Sequence, residues 1–362
     1  MRIIDRYVAR EMLAPMLFGI CAFTSLFVGT ELLHLVTVAM EMGAPLITVG
    51  KLFLLRLPQI VVWTFPMAVL LSVLLALSRF SANSEIVAMK AGGLSFYRIA
   101  LPALIIGILM TGTTLAINEM VVPAANAEYT LTWMEMRGQT LPRITRNVIL
   151  RRYSGNVLNW FLYAARFDSK LQVMEDVTIV TLKKGKPEET TYAPRIVWDE
   201  TGWFMEDGVS HFFDDSGRTI TMRFAGGRQP VDIGQKPREI VASQKSPDEM
   251  NIRELARHIE ILRSQGAETQ KLEVDWHLKW AIPAASIVFA LVGAPLGLQS
   301  HRSASSVGFG LSIIVIFIYY VIMTLGSALA QGGYLPPILG AWLQNIILGI
   351  VGICLMRRAA SR

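Results

Sequence analysis

Apolar residues fall along this chain in two different rhythms. Six runs of mainly apolar residues, at 12–38, 57–78, 99–122, 280–298, 307–330 and 335–356, are separated by polar or Pro/Gly-rich breaks. A helix needs about 20 such residues to cross roughly 30 Å of hydrocarbon, so each run predicts one membrane-spanning helix. Between Arg146 and Phe224 the apolar period shortens to two, as in Val148-Ile149-Leu150, Trp160-Phe161-Leu162-Tyr163, Val177-Thr178-Ile179-Val180 and Thr219-Ile220-Thr221-Met222. That alternation is what a strand with one buried face requires. Turn-forming strings punctuate it: Ser154-Gly155-Asn156, Lys184-Gly185-Lys186-Pro187, Glu200-Thr201-Gly202 and Asp215-Ser216-Gly217. Many short strands so spaced predict an antiparallel sandwich, jellyroll or open barrel. Ser246-Pro247-Asp248-Glu249 then reads as a helix start, because proline suits the first turn and acids suit its positive end. The predicted helix, about 248–264, carries Ile252, Leu255, Ile259 and Leu262 on one face and links the β region to the fourth span.

Charge sets the expected orientation, since lysine and arginine in short loops favour the cytoplasmic side. Arg2, Arg6 and Arg10 precede the first span, Arg79, Lys90 and Arg98 follow the second, Arg302 follows the fourth, and Arg357, Arg358 and Arg362 close the chain. The opposite loops hold only Lys51 and Arg56 beside the first and none in the turn 331–335. Both termini are therefore expected in the cytoplasm and the 123–279 insert outside it. The first span follows arginines as a signal peptide does, but its apolar stretch is too long and no small-x-small site closes it, so it is expected to stay as an anchor. The predicted fold class is an α-helical integral membrane protein with six transmembrane helices and an inserted extracytoplasmic antiparallel β domain, whether sandwich, jellyroll or open barrel. Its divisions are 1–122, 123–270 with the linker helix, and 271–362.

Composition narrows the function. With 52% hydrophobic and 17% charged residues, against about 25% charged in soluble domains, the excess apolar surface must face lipid. The net charge of +6 raises nucleic acid as a partner, but the cations are dispersed or flank apolar runs, without a basic stripe interleaved with aromatics, so no nucleic-acid partner is expected. Cys21 and Cys354 both sit in apolar runs and make neither a disulfide framework nor a zinc site. No Gly-rich loop closes on Gly-Lys-Ser/Thr, and neither His-Glu-x-x-His nor Gly-x-Ser-x-Gly occurs. The histidines His34, His211, His258, His277 and His301 are scattered without ligand spacing. The chain is thus expected to bind no cofactor or metal of its own.

Four strings, in order, resemble the lipopolysaccharide export permeases of the LptF/LptG (YjgP/YjgQ) family. They are Ile4-Asp5-Arg6-Tyr7-Val8 with Glu11 and Pro15; Leu77-Ser78-Arg79-Phe80 with Ser84-Glu85-Ile86-Val87-Ala88-Met89-Lys90-Ala91-Gly92-Gly93; Glu273, Lys279, Pro283 and Gly293-Ala294-Pro295-Leu296-Gly297; and Gly326, Gly332, Leu335-Pro336 with Ala341-Trp342-Leu343-Gln344-Asn345. Gln344 stands where the family's pattern carries proline. The resemblance implies that the inserted domain is a periplasmic β-jellyroll and that the chain is a permease subunit of an ABC-type exporter, pairing with a second permease subunit, a paralogue or its own copy. It also implies a separate cytoplasmic ATPase holding ATP and Mg, lipopolysaccharide as cargo, and delivery to a periplasmic bridge protein.

Individual residues follow from both readings. Segment 84–91 is a predicted short helix, with Asn83 or Ser84 as cap, Glu85 at its positive end and Gly92-Gly93 as terminator. In family terms it is the coupling helix, where Glu85 meets the ATPase and Ile86 and Met89 fill an apolar pocket; a purely local role for Glu85 at its own helix end is the alternative. Lys51 and Arg56 are candidates for the phosphates of a lipid headgroup, against snorkelling to the interface or an Arg56 to Glu31 pair. Phe23, Phe27, Phe317 and Tyr320 are candidates for an acyl cavity between subunits, against ordinary helix packing. Phe161, Tyr163 and Ile179 are candidates for a lipid path through the β domain, against a packed core. Two other functions compete: a membrane-anchored scaffold for envelope assembly, and an intramembrane enzyme using Glu31, His34 and Glu119.

Overall fold

The computed structural model describes residues 3–43, 45–136, 144–154, 157–168, 171–183, 186–199, 202–213, 218–224, 227–234, 236–237, 240, 245–264, 267–298 and 305–361. Its elements run α1 (Ile3–Met42), α2 (Leu46–Ala82), α3 (Glu85–Ala91), α4 (Phe96–Met120) and α5 (Val122–Met136), then eight strands. After them come a 3-10 turn (Pro247–Glu249), α6 (Ile252–Ser264), α7 (Gln270–Leu298), α8 (Ser305–Gln331) and α9 (Pro337–Ala360). Six of these helices are long and apolar enough to cross a membrane: α1, α2, α4, α7, α8 and α9. Several extend well past the apolar windows read from sequence, α1 by starting at Ile3 and α7 by starting at Gln270. The chain divides into two compact units, 1–129 with 247–252 and 270–362, and 130–246 with 253–269.

The helical unit is built around α2. Its residues from Pro66 to Leu74 are buried without a break, so the helix is apolar on every side because other helices surround it. One cluster joins Val8 and Met12 of α1, Phe80 of α2, Ile86 of α3, Phe96, Ile99 and Ala103 of α4, Ala290 and Ala294 of α7, and Met356 and Ala359 of α9. A second joins Phe23, Leu70, Phe289, Tyr319 and Leu348. Small residues set the closest approach: a Cβ on Gly326 of α8 would stand 2.6 Å from the Gly340 carbonyl of α9, so the two backbones touch only because both positions lack side chains. Pro283 inside α7 cannot donate to the Lys279 carbonyl, and the Asn118 amide of α4 takes that carbonyl instead at 3.3 Å. Thr111 donates to the Pro283 carbonyl at 3.0 Å, so α4 holds both sides of the break.

The second unit contains the sheet, which is antiparallel throughout. Its strands are β1 (Ile144–Ser154), β2 (Val157–Asp168), β3 (Val173–Lys183), β4 (Lys186–Asp199), β5 (Gly202–Glu206), β6 (Val209–Phe213), β7 (Thr219–Arg223) and β8 (Arg228–Val231). Their order is β1-β2-β3-β4-β5-β8, with β6 pairing β4 and β7. The long β4 forks the sheet, pairing β6 through Glu189–Tyr192 and β5 through Arg195–Asp199. The core gathers buried side chains from successive strands, including Leu162, Ala164, Val177, Ile179, Ala193, Ile196 and Trp203. Asp215-Ser216-Gly217 lies outside the described residues, as do Gly155-Asn156, Lys184-Gly185 and Glu200-Thr201 of the other turn strings.

Two local expectations are corrected. The helix expected over 248–264 is two pieces, because the Ile252 amide donates to Glu119 Oε2 at 2.8 Å and the Asp248 carbonyl accepts from Asn126 at 3.1 Å. Long-range partners take the backbone groups that one continuous helix would use. Helix α5 was not expected at all. It follows α4 after a single break at Val121, with Val122, Asn126 and Thr132 buried among neighbours.

Candidate functional site

Polar side chains concentrate at the two ends of the helical unit. At the end carrying both chain termini, α2 stops at Ala82, Ser84 takes a left-handed φ of 59°, and α3 begins at Glu85. No side-chain cap forms there, which corrects the expectation for Asn83 or Ser84; the sharp turn is made by backbone bonds from Asn83 to Arg79 and from Ser84 to Ser81. The helix ends as expected on its glycines. Leu94 N–H reaches the Met89 carbonyl at 3.1 Å and Gly93 N–H the Lys90 carbonyl at 2.9 Å, with Gly93 at φ 85°. This crossed pair needs a residue free to be left-handed, hence the glycine.

Several contacts fix this small helix and the start of α1 to the unit. Tyr7 of α1 donates its hydroxyl to Glu85 at 3.0 Å, and its ring lies 5.4 Å from Phe80. Asn83 donates to the other Glu85 oxygen at 3.3 Å. Arg79 pairs with Glu11 at 2.5 Å, Arg98 with Asp5 at 2.7 Å, and Lys90 donates to the Ala359 carbonyl at 3.4 Å. Ile86 is only 5% exposed and packs with Phe80 and Phe96, while Met89 is half-buried against the same cluster. Of the two apolar side chains expected to meet a partner, Ile86 is buried in this chain's own core and Met89 keeps part of its surface open. The outward apolar residue is Val87, 67% exposed, beside exposed Ala88 and Ala91. It was available in the sequence one position from Ile86, but a two-turn helix carries too little periodicity to tell its faces apart.

At the opposite end, Lys51 of α2 pairs with Glu128 of α5 at 2.6 Å, and Arg56 with Glu31 of α1 at 3.6 Å. The Arg56 guanidinium also lies 5.5 Å from the Tyr129 ring centre. Burial, and then the Glu31 carboxylate, push the Tyr129 phenol above its ordinary range. Both headgroup candidates therefore have intramolecular carboxylate partners. Nearby, Glu119 caps the first amide of α6, and Trp276 Nε1 donates to the Ile252 carbonyl at 3.1 Å.

The remaining candidates separate. Phe23 is buried, and Phe27 and Tyr320 pack partly buried against the same cluster; Tyr320 stacks on Trp63 at 6.0 Å and donates to its carbonyl at 3.4 Å. These three fill space within the chain, whereas Phe317 is 67% exposed on α8. In the sheet, Leu162 faces Ile179 across β2 and β3, so Ile179 belongs to the core face while Phe161 and Tyr163, half-buried, belong to the other. The register therefore places Ile179 on one face of the sheet and Phe161 with Tyr163 on the other. Among the described residues no cluster of His, Cys, Asp and Glu is placed to hold a metal.

Six apolar helices with a sheet unit inserted between the third and fourth define a multi-pass membrane protein with an extramembrane domain. The family model for lipopolysaccharide export system permease LptF/LptG matches residues 6–358, and the chain belongs to that family. It is 22% identical to the lipopolysaccharide export system permease protein LptG of Escherichia coli K12, over 98% of both chains. It is 23% identical to the protein of the same name from Haemophilus influenzae, over 81% of both.

Proposed function

We propose that this chain is the transmembrane subunit of an ABC-type exporter that extracts lipopolysaccharide from the inner membrane and passes it to a periplasmic bridge protein. A separate cytoplasmic ATPase supplies the energy, and a second permease subunit, paralogous or identical, completes the cavity. Both termini and α3 lie on the cytoplasmic side, and the sheet unit is periplasmic. The observation that carries this reading is the mounting of α3: a short helix with an exposed face of Val87, Ala88 and Ala91 is fixed to α1, α2, α4 and α9. Such a mounting passes a push on α3 into four helices, because packed elements move together. Glu85 keeps its place by accepting from Tyr7 and Asn83, and meets the ATPase at the helix's edge. Lys51 and Arg56 hold the headgroup phosphates, Phe317 faces the lipid shared with the second subunit, and Phe161 and Tyr163 are the sheet-unit positions for passing lipid.

Site-specific photocrosslinking in cells, with probes at Phe27, Arg56, Phe317 and Tyr163, tests the route. Lipopolysaccharide adducts at Phe317 and Arg56, with adducts at Tyr163 that require ATPase activity, are expected. Normal assembly without adducts at any probe would instead favour a scaffold that transports nothing.

A further inference from the structure

The charged groups at the Lys51 end form two pairs, and neither pair is local in sequence. Glu31 comes from α1, Lys51 and Arg56 from α2, and Glu128 from α5. Tyr129, next to Glu128, lies against Arg56 and close to Glu31, so the two pairs meet at one residue pair of α5. Three of the four groups are open to solvent, Lys51 and Glu128 each 48% exposed and Arg56 36%, while Glu31 is 20% exposed. Ion pairs of this exposure contribute about 0–1 kcal/mol to stability. That is little return for four charges gathered from three helices at the margin of apolar spans, where charge is costly and usually functional.

A carboxylate and a phosphate offer a cation the same thing, anionic oxygens that accept charge-assisted hydrogen bonds. We propose that Glu31 and Glu128 are internal stand-ins for the phosphates of the glycolipid headgroup, holding Arg56 and Lys51 until a phosphorylated headgroup displaces them. This rests on the reading of Lys51 and Arg56 as headgroup contacts and adds the two carboxylates as residues that set how tightly the lipid is held. The exchange moves no proton and breaks no covalent bond; each cation trades one anion for another. The displaced carboxylates stay nearby and repel the phosphates that replaced them. Retention is thereby capped, which suits a protein that must release its cargo, and a headgroup without phosphates gains nothing from the exchange.

Competition and simple positioning predict opposite signs. The full chain, assembled with its second permease subunit and ATPase in nanodiscs, would be titrated with lipopolysaccharide and with lipopolysaccharide stripped of its phosphates. The combined Glu31→Gln and Glu128→Gln variant should bind the phosphorylated probe about threefold to tenfold more tightly, the scale of one relieved charge-assisted contact. Binding of the stripped probe should not change, and Glu31→Asp with Glu128→Asp, which keeps both charges, should restore the original affinity. Weaker or unchanged binding of the phosphorylated probe by the glutamine variant overturns the proposal, even where Lys51→Gln and Arg56→Gln weaken it and so uphold the headgroup reading. If the two cation variants leave both probes unaffected, the headgroup reading falls and the proposal with it.

Discussion

The two ends of the helical unit use charge in different ways. At the end with the chain termini, the Asp5 side chain is 6% exposed, 2.7 Å from Arg98, and part of a set of contacts that lock α1 and α3 to the bundle. At the other end, Lys51 and Glu128 form an equally short pair while each is 48% exposed. Breaking a buried pair from one side costs about 3–5 kcal/mol, whereas exposed pairs contribute about 0–1 kcal/mol. Similar distances therefore come with different surroundings: Asp5 is withdrawn from water, whereas Lys51 and Glu128 stay open to it.

The contrast is sharpest in stability. Asp5→Ala leaves the one-third-exposed Arg98 without this carboxylate and should destabilise the chain by about 2–3 kcal/mol, the scale of a hydrogen bond between charged groups, read as loss of thermal unfolding temperature in detergent. Asn118→Leu strands the Lys279 carbonyl that Pro283 already abandons, and about 2 kcal/mol should be lost in the same assay. Glu119→Ala removes the acceptor for the first amide of α6, costing about 1 kcal/mol and speeding hydrogen exchange at Ile252. Lys51→Ala should cost less than about 0.5 kcal/mol, and a loss matching that of Asp5→Ala would break the contrast.

The smallest effect is a pH dependence in the sheet unit. Burial holds the half-buried His258 imidazole below its ordinary range, so the unfolded chain takes up this proton first as pH falls. Its contribution is complete above the ordinary histidine pKa and is lost as pH drops below it. Unfolding followed from pH 8 to pH 5 should show this slope, and His258→Gln should flatten it.

How much of this was legible in the sequence depends on how local each signal is. The six spans were, because a bilayer imposes a length that one segment must satisfy alone. Their ends were not: α1 continues to Ile3 because Asp5 and Glu11 find cations on α4 and α2, partners no local window contains. The strands were visible as alternation, yet grouping Phe161 and Tyr163 with Ile179 required register, which alternation does not supply. The break at residues 250–251 depends on Glu119 and Asn126, far away in the chain. Gln344, where the resemblance leads to an expectation of proline, is fully buried, its amide donating to the Ala341 carbonyl at 2.7 Å.

The central claim is that ATP-driven force enters through α3 and moves lipopolysaccharide. Proteoliposomes holding this chain, its second permease subunit and the ATPase, loaded with lipopolysaccharide, measure it directly through ATP-dependent transfer of lipid to an added soluble bridge protein. Transfer should require ATP and should be lost with Glu85→Lys or Val87→Glu while the two permease subunits still pair. Undiminished transfer by both variants, or lipid release that ignores ATP, would contradict it.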